Sequence, residues 1–168
     1  MFIYFLSLGS NLGDRQQQLT DAISLLNSHV GNVIARSSVI ETEPWGFESK
    51  NNFLNLVLQL HTTLKPHELL LATQQIERQL GRREKSSMVE GKVLYADRNI
   101  DIDILAAFDE DLFAKNKHTW QENKSEQALA NLIDCSLRIS SDSLTLPHPH
   151  IFERDFVTRP LYELLSKG

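Results

Sequence analysis

The 168-residue chain has a single cysteine, Cys135, so it forms no internal disulfide. An unpaired thiol suits a reducing compartment, and a cytoplasmic protein is expected. A basic excess is also missing. The net charge of −5 gives no cationic blanket, which argues against nucleic acid as a partner. No signal peptide is expected: the apolar stretch Met1 to Leu8 lacks a basic region and falls far short of the roughly 20 residues that span a bilayer. A Walker loop is absent too, because the glycine-bearing turn Gly9-Ser10-Asn11-Leu12-Gly13-Asp14 is not followed by Lys-Ser or Lys-Thr. What remains is a chain with 41% hydrophobic residues, enough to bury one ordinary core, and a single domain over 1–168 is expected.

The stretch Asp97-Arg98-Asn99-Ile100-Asp101-Ile102-Asp103-Ile104-Leu105 carries the sharpest chemical signal. Ile100, Ile102 and Ile104 alternate with Asp101 and Asp103, the period of a strand with one buried face. Both carboxylates then project to the same side, roughly 6.5 Å apart at Cα. Like charges so close repel unless a cation sits between them. An all-oxygen donor set favours a hard ion, and Mg²⁺ is the natural candidate. Arg98 brings a positive charge to the same rim. The plainer alternative is an edge strand whose polar face meets water.

Around that stretch the sequence spells further elements. Phe2 to Leu8 reads as a buried central strand, and Asp14 with Gln17 as the cap of a helix whose face is Leu19, Ile23, Leu26 and Val30. Val33 to Thr42 reads as a strand. A polar loop over 43–52 then carries Trp45 and Phe47, either a cover for the core or a lid over a flat ligand. Phe53 to Thr63 reads as a strand that places Phe53 and Asn55 on one face, where an amide could read a heterocycle stacked on a ring. A helix is expected from Pro66 to a C-cap at Gly81, with Gln74 and Glu77 adjacent on one face. The cationic loop after it, Arg82 to Lys92, is either solvated or a flap that closes on phosphates. From Ala107 to Ser143 the pattern dissolves, apart from a weak helical segment over Ser125 to Ile133, and about 107–142 is expected to be an insertion or a partly disordered excursion. In Leu146-Pro147-His148-Pro149-His150 the histidines are read as hydrogen-bonding or loop-shaping residues rather than metal ligands. A short helix over Leu161 to Leu165 ends the chain. The order β-α-β-β-α-β plus a tail predicts an α+β, ferredoxin-like antiparallel sheet with two helices on one face.

The set Gly9-Ser10-Asn11-Leu12-Gly13-Asp14-Arg15, Phe53-Leu54-Asn55, Glu77 to Arg82, Arg98-x-x-Asp101-x-Asp103 and Leu146-Pro147-His148-Pro149 resembles the 6-hydroxymethyl-7,8-dihydropterin pyrophosphokinase family of folate biosynthesis. The resemblance covers nearly the whole chain except about 107–142. It implies transfer of the β,γ-pyrophosphoryl group of ATP, the co-substrate, to a pterin hydroxymethyl group, with release of AMP and two Mg²⁺ ions. It implies metal binding by Asp101 and Asp103 and phosphate closure by Arg82 and Arg98, the four residues expected to be catalytic. Gln74, Glu77, Ile104, Thr145, His148 and Arg154 match positions around ATP. Thr42, Trp45, Gly46, Phe53, Asn55 and Phe156 match the pterin pocket, with Tyr95 as the aromatic laid on it by the closing loop. Both partners are then small molecules, and a monomer is expected. The sequence departs from the pattern in a longer loop between Arg82 and Arg98, and in Asp97 before Arg98. Two other classes compete: an RNA-binding sheet, opposed by the acidic charge and the aspartate pair, and an inactive scaffold, opposed by intact Asp101, Asp103, Arg82 and Arg98.

Overall fold

The computed structural model describes residues 1–81, 87–89, 92–94 and 96–167, with 87–89 and 92–94 described for their backbone course alone. In chain order the elements are β1 (Phe2–Ser10), α1 (Arg15–His29), β2 (Asn32–Arg36), β3 (Ile40–Thr42), β4 (Phe53–Thr62), α2 (Pro66–Gln79), β5 (Ser87–Val89), β6 (Lys92–Leu94) and β7 (Asp101–Asp109). They are followed by α3 (Glu110–Asn123), α4 (Glu126–Asp134), β8 (Ile139–Ser140), β9 (Thr145–Leu146) and α5 (Asp155–Lys167). The main sheet runs β2-β4-β1-β7, every neighbouring pair antiparallel, with β3 also on β4.

The nearly all-apolar run of β1, broken by Ser7, follows from its central place, since both faces of the strand are covered. Tyr4, Leu6 and Leu8 meet α1 and α2 in one core, together with Leu56, Leu58, Leu60, Ile102 and Ile104. Ile3 and Phe5 lie in a second core with Val57, Ala106 and Phe108, under α3, α4 and α5. The first two helices thus share one face of the sheet, and α3, α4 and α5 cover the other, which the sequence pattern did not place. Along β7 the register skips Leu105 between the pairs Leu6–Ile104 and Phe5–Ala106. That bulge lets Ile104 face one core and Ala106 the other.

Local signals set most boundaries. The Asp14 side chain accepts a hydrogen bond from the Gln17 N–H (3.1 Å), the N-cap of α1. Pro66 opens α2, and Gly81, at φ +98°, follows its last turn in the left-handed region that glycine adopts freely. The strand expected over 33–42 is two short strands: at the break, the Ser37 N–H donates to the Val57 carbonyl (2.8 Å).

The segment 107–142, expected to be an insertion or a partly disordered excursion, carries regular elements. Its first residues finish β7, and α3 and α4 follow, with Phe113, Trp120, Leu129, Leu132 and Ile133 in the second core. Trp120 Nε1 donates to the Leu165 carbonyl (3.1 Å), fastening α3 to the last helix. The final helix begins at Asp155, not near Leu161, and runs through Pro160. In the stretch read as a cationic loop, β5 and β6 pair as an antiparallel hairpin.

Candidate active site

The face of the sheet covered by α3–α5 is apolar only where those helices reach. Toward the end of β1 the same face turns polar: Ser7 and Gly9 on β1, Asn55 on β4, and Asp101 and Asp103 on β7. The register sets Asn55, Gly9 and Asp101 in one row, and Ser7 beside Asp103 in the next. A cleft of about 380 Å³ opens over these rows. The loop 43–52 walls it with Trp45 and Phe47, and the segment before α5 walls it with His148, His150 and Arg154.

Gly9 makes room at the floor. A Cβ built there would stand 2.7 Å from Asn55 Oδ1, so the absence of a side chain on β1 allows the amide to lie across the strand. Asn55 is buried, and its Nδ2 donates to Thr42 Oγ1 at 2.6 Å. That bond orients the amide, whose other groups suit the edge of a polar heterocycle. Phe53 meets Phe47 edge-to-face with centroids 6.1 Å apart, which lines a flat apolar slot beside it. Gly46, at φ +81°, turns the chain between Trp45 and Phe47 so that both side chains reach the cleft.

The carboxylates of Asp101 and Asp103 each face an arginine. Arg98 Nη1 lies 3.0 Å from Asp101 Oδ2, and the Arg98 guanidinium sits 5.5 Å from the Phe53 ring centroid. Arg154, only 7% exposed, has Nη1 3.9 Å from Asp103 Oδ2. Its guanidinium stacks 4.3 Å over Trp45 and stands 5.7 Å from Phe156. His148 is fixed to β7, its backbone N–H donating to the Leu105 carbonyl (2.7 Å). Its Nδ1 accepts the His150 N–H (3.1 Å), so a neutral ring carries its proton on Nε2.

Beside Arg98, the Asp97 carboxyl is lowered from its ordinary value, first by a hydrogen bond from the Ser49 hydroxyl and then, against the opposing effect of burial, by the amides of Asn11 and Asn51.

Of the residues expected from the sequence, Thr42, Trp45, Phe53, Asn55, Arg98, Asp101, Asp103, His148, Arg154 and Phe156 line this one cleft. Gln74, Glu77, Ile104, Thr145 and Gly46 do not line it. Gln74 and Glu77 lie on α2, Thr145 is exposed on β9, and the Ile104 side chain faces the α1–α2 core across the sheet. Arg82 and Tyr95 lie outside the described residues, as does much of the expected flap. Sequence reasoning did not assign Ser7, Gly9 or His150 to the site. The signal for Ser7 and Gly9 was the small and polar parity of β1, hidden inside an apolar run; His150, in the segment before α5, had none in its local pattern.

Fold and cleft together define a mixed protein of helices on an antiparallel sheet, with a cleft in which two arginines face two aspartates. A family model described as 7,8-dihydro-6-hydroxymethylpterin-pyrophosphokinase (HPPK) matches residues 5–166. The chain is 43% identical over 164 residues to a 2-amino-4-hydroxy-6-hydroxymethyldihydropteridine pyrophosphokinase of Porphyromonas gingivalis, covering 98% of this chain and 91% of that one. To the Bacillus subtilis enzyme of the same name the identity is 36%, covering 98% and 79%. A solved HPPK-DHPS structure in complex with substrates shares the fold with TM-score 0.61 at 14% identity, and this chain spans 40% of that longer chain. The chain belongs to the 7,8-dihydro-6-hydroxymethylpterin-pyrophosphokinase family, and is a pyrophosphokinase of folate biosynthesis.

Proposed function

We propose that the chain moves the β,γ-pyrophosphoryl group of ATP onto the hydroxymethyl oxygen of 6-hydroxymethyl-7,8-dihydropterin and releases AMP. The hydroxymethyl oxygen bonds to the β-phosphorus, the bond from that phosphorus to the α-β bridging oxygen breaks with its electron pair leaving on AMP, and the hydroxyl proton passes to solvent. The observation that carries this reading is the row Asn55–Gly9–Asp101, which sets a heterocycle-reading amide and an acidic strand end on one floor. In this reading Asn55, oriented by Thr42, takes the amide edge of the pterin, with Phe53, Trp45 and Phe156 as apolar walls. Arg98 and Arg154 hold phosphate oxygens, for which a planar guanidinium is suited, and the Nε2–H of His148 is a further donor. Such transfer depends on placement and charge neutralisation more than on covalent chemistry, so no obligatory general base is assigned.

The donor set fits Mg²⁺. Asp101 and Asp103 offer hard oxygens on one face, and among the described residues no cluster of three or more His, Cys, Asp or Glu forms an all-protein cage. Magnesium commonly takes one or two carboxylates and completes its shell with substrate phosphates and water. Two ions held by Asp101 and Asp103 would supply charge neutralisation at the phosphates. Gln74, Glu77, Ile104, Thr145 and Arg82 are assigned to the nucleotide side, and Gly46 and Tyr95 to the pterin side, on the resemblance. We place the strand order within the ferredoxin-like split βαβ class, and take the protein as a cytoplasmic monomer.

Titration calorimetry with a non-hydrolysable ATP analogue tests the metal and phosphate assignment. Binding should require Mg²⁺ and fall sharply in Asp101→Ala and Asp103→Ala. Binding of wild-type strength in both variants would remove the two aspartates from the site.

A further inference from the structure

We infer that Asp97 is a positioning residue, a carboxylate latch that aims Arg98 into the cleft by tying its segment to two other loops at once. The tie is made of short bonds. Asn11, 2% exposed in the turn between β1 and α1, uses both ends of its amide. Its Oδ1 accepts the Arg98 N–H (2.7 Å), while its Nδ2 reaches Asp97 Oδ1 (2.8 Å) and the Asn51 carbonyl (3.1 Å). The Asn11 N–H also donates to the Arg98 carbonyl (3.1 Å). The second oxygen of Asp97 accepts Asn51 Nδ2 (3.0 Å).

A carboxylate is the side chain this position needs, because donors meet both of its oxygens and it has no proton of its own to misplace. With the backbone of residues 97 and 98 fixed, Arg98 Nε donates to the Ala96 carbonyl (3.0 Å) and the guanidinium points at Asp101. Asn51 belongs to the loop that carries Trp45 and Phe47, so the same carboxylate holds the arginine rim and the aromatic wall in register. Errors of placement at a phosphate clamp are costly, since the contact is useful only at one geometry.

The inference rests on Arg98 acting on the phosphates, so the experiment is a double-mutant cycle that tests both. Turnover at saturating substrates and thermal midpoint are measured for Asp97→Ala, Arg98→Ala and the double variant. Asp97→Ala should lower kcat about tenfold, the loss expected from one charge-assisted hydrogen bond's worth of positioning. In the Arg98→Ala background the same change should cost less than about twofold, because the two act as one unit. Asp97→Asn, which keeps one acceptor oxygen, should recover part of the loss. Asn51→Ala gives a milder variant that should lower kcat in the same direction. An equal kcat loss from Asp97→Ala in both backgrounds would overturn the latch, as would a lower thermal midpoint with kcat unchanged. Wild-type turnover in Arg98→Ala would instead overturn the Arg98 assignment, and the latch with it.

Discussion

Arg98 Nη1 stands 3.0 Å from Asp101 Oδ2, and both side chains are largely withdrawn from water at 10% and 15% exposure. Together with the approach of Arg154 to Asp103 at 3.9 Å, this changes the electrostatics read from the strand alone. The two carboxylates are not a bare repelling pair, because each has a guanidinium beside it. Asp101→Ala should therefore destabilise the metal-free protein, by about 1–3 kcal/mol, through loss of a partner at a partly buried cation. Turnover should fall on the order of a hundredfold or more, the scale for losing a group that stabilises transition-state charge. Denaturant unfolding without Mg²⁺ checks the sign: a stabilised variant would restore the repulsion picture.

Asn55→Ala should weaken pterin binding by about 1–3 kcal/mol, because the slot then offers no amide to the polar edge of the ring. Nucleotide-analogue binding should hardly change. Gly9→Ala should act in the same direction, since the new methyl would crowd Asn55 Oδ1 at 2.7 Å. Calorimetric titrations with each ligand separate the two sides of the cleft. Equal losses for both ligands would place Asn55 elsewhere.

Glu163 gives a pH prediction away from the cleft. Its carboxylate is pulled down from 4.5 to about 2, first by the hydrogen bond from Lys167 and then by the Ser38 hydroxyl and N–H. A depressed carboxylate contributes stability that is present above its unfolded value and lost as pH falls through the folded one. The stability gap between wild type and Glu163→Gln should thus be full above about pH 4.5 and vanish toward pH 2, a window set by those two values. Chemical denaturation across that range measures it, and a gap that widens on acidification would contradict it.

Trp120→Ala should cost about 3–5 kcal/mol, as for other large aromatics removed from a core. The ring is 1% exposed, meets Tyr162 edge-to-face at 5.3 Å, and donates from Nε1 to the Leu165 carbonyl. A change below about 1 kcal/mol would detach α3 from the core.

The sheet and the first two helices were legible because their signals are local: period-two alternation in β4 and β7, a cap at Asp14, a proline and a glycine bounding α2. The helix α3 was not, since its buried side chains are Phe113 and Trp120, seven positions apart amid polar residues. Such a seam is too narrow to register as a periodic face. Pro160 hid the true start of α5, where tertiary packing overrides the helix-breaking tendency of proline. In the cleft, the residue types were readable but their pairings were not. Nothing local in the sequence brings Arg154 to Asp103, or stacks it on Trp45; the return of the chain after α4 does that.

If the cleft works as proposed, a pyrophosphoryl group passes from ATP to the pterin as acceptor. The most direct measurement follows ATP cleavage by resolving AMP from ADP while 6-hydroxymethyl-7,8-dihydropterin is added in known amounts with Mg²⁺. AMP should form one-for-one with diphosphorylated pterin, and neither product should appear when the pterin or Mg²⁺ is left out. ADP as the nucleotide product, or AMP released at the same rate without the pterin, would contradict it.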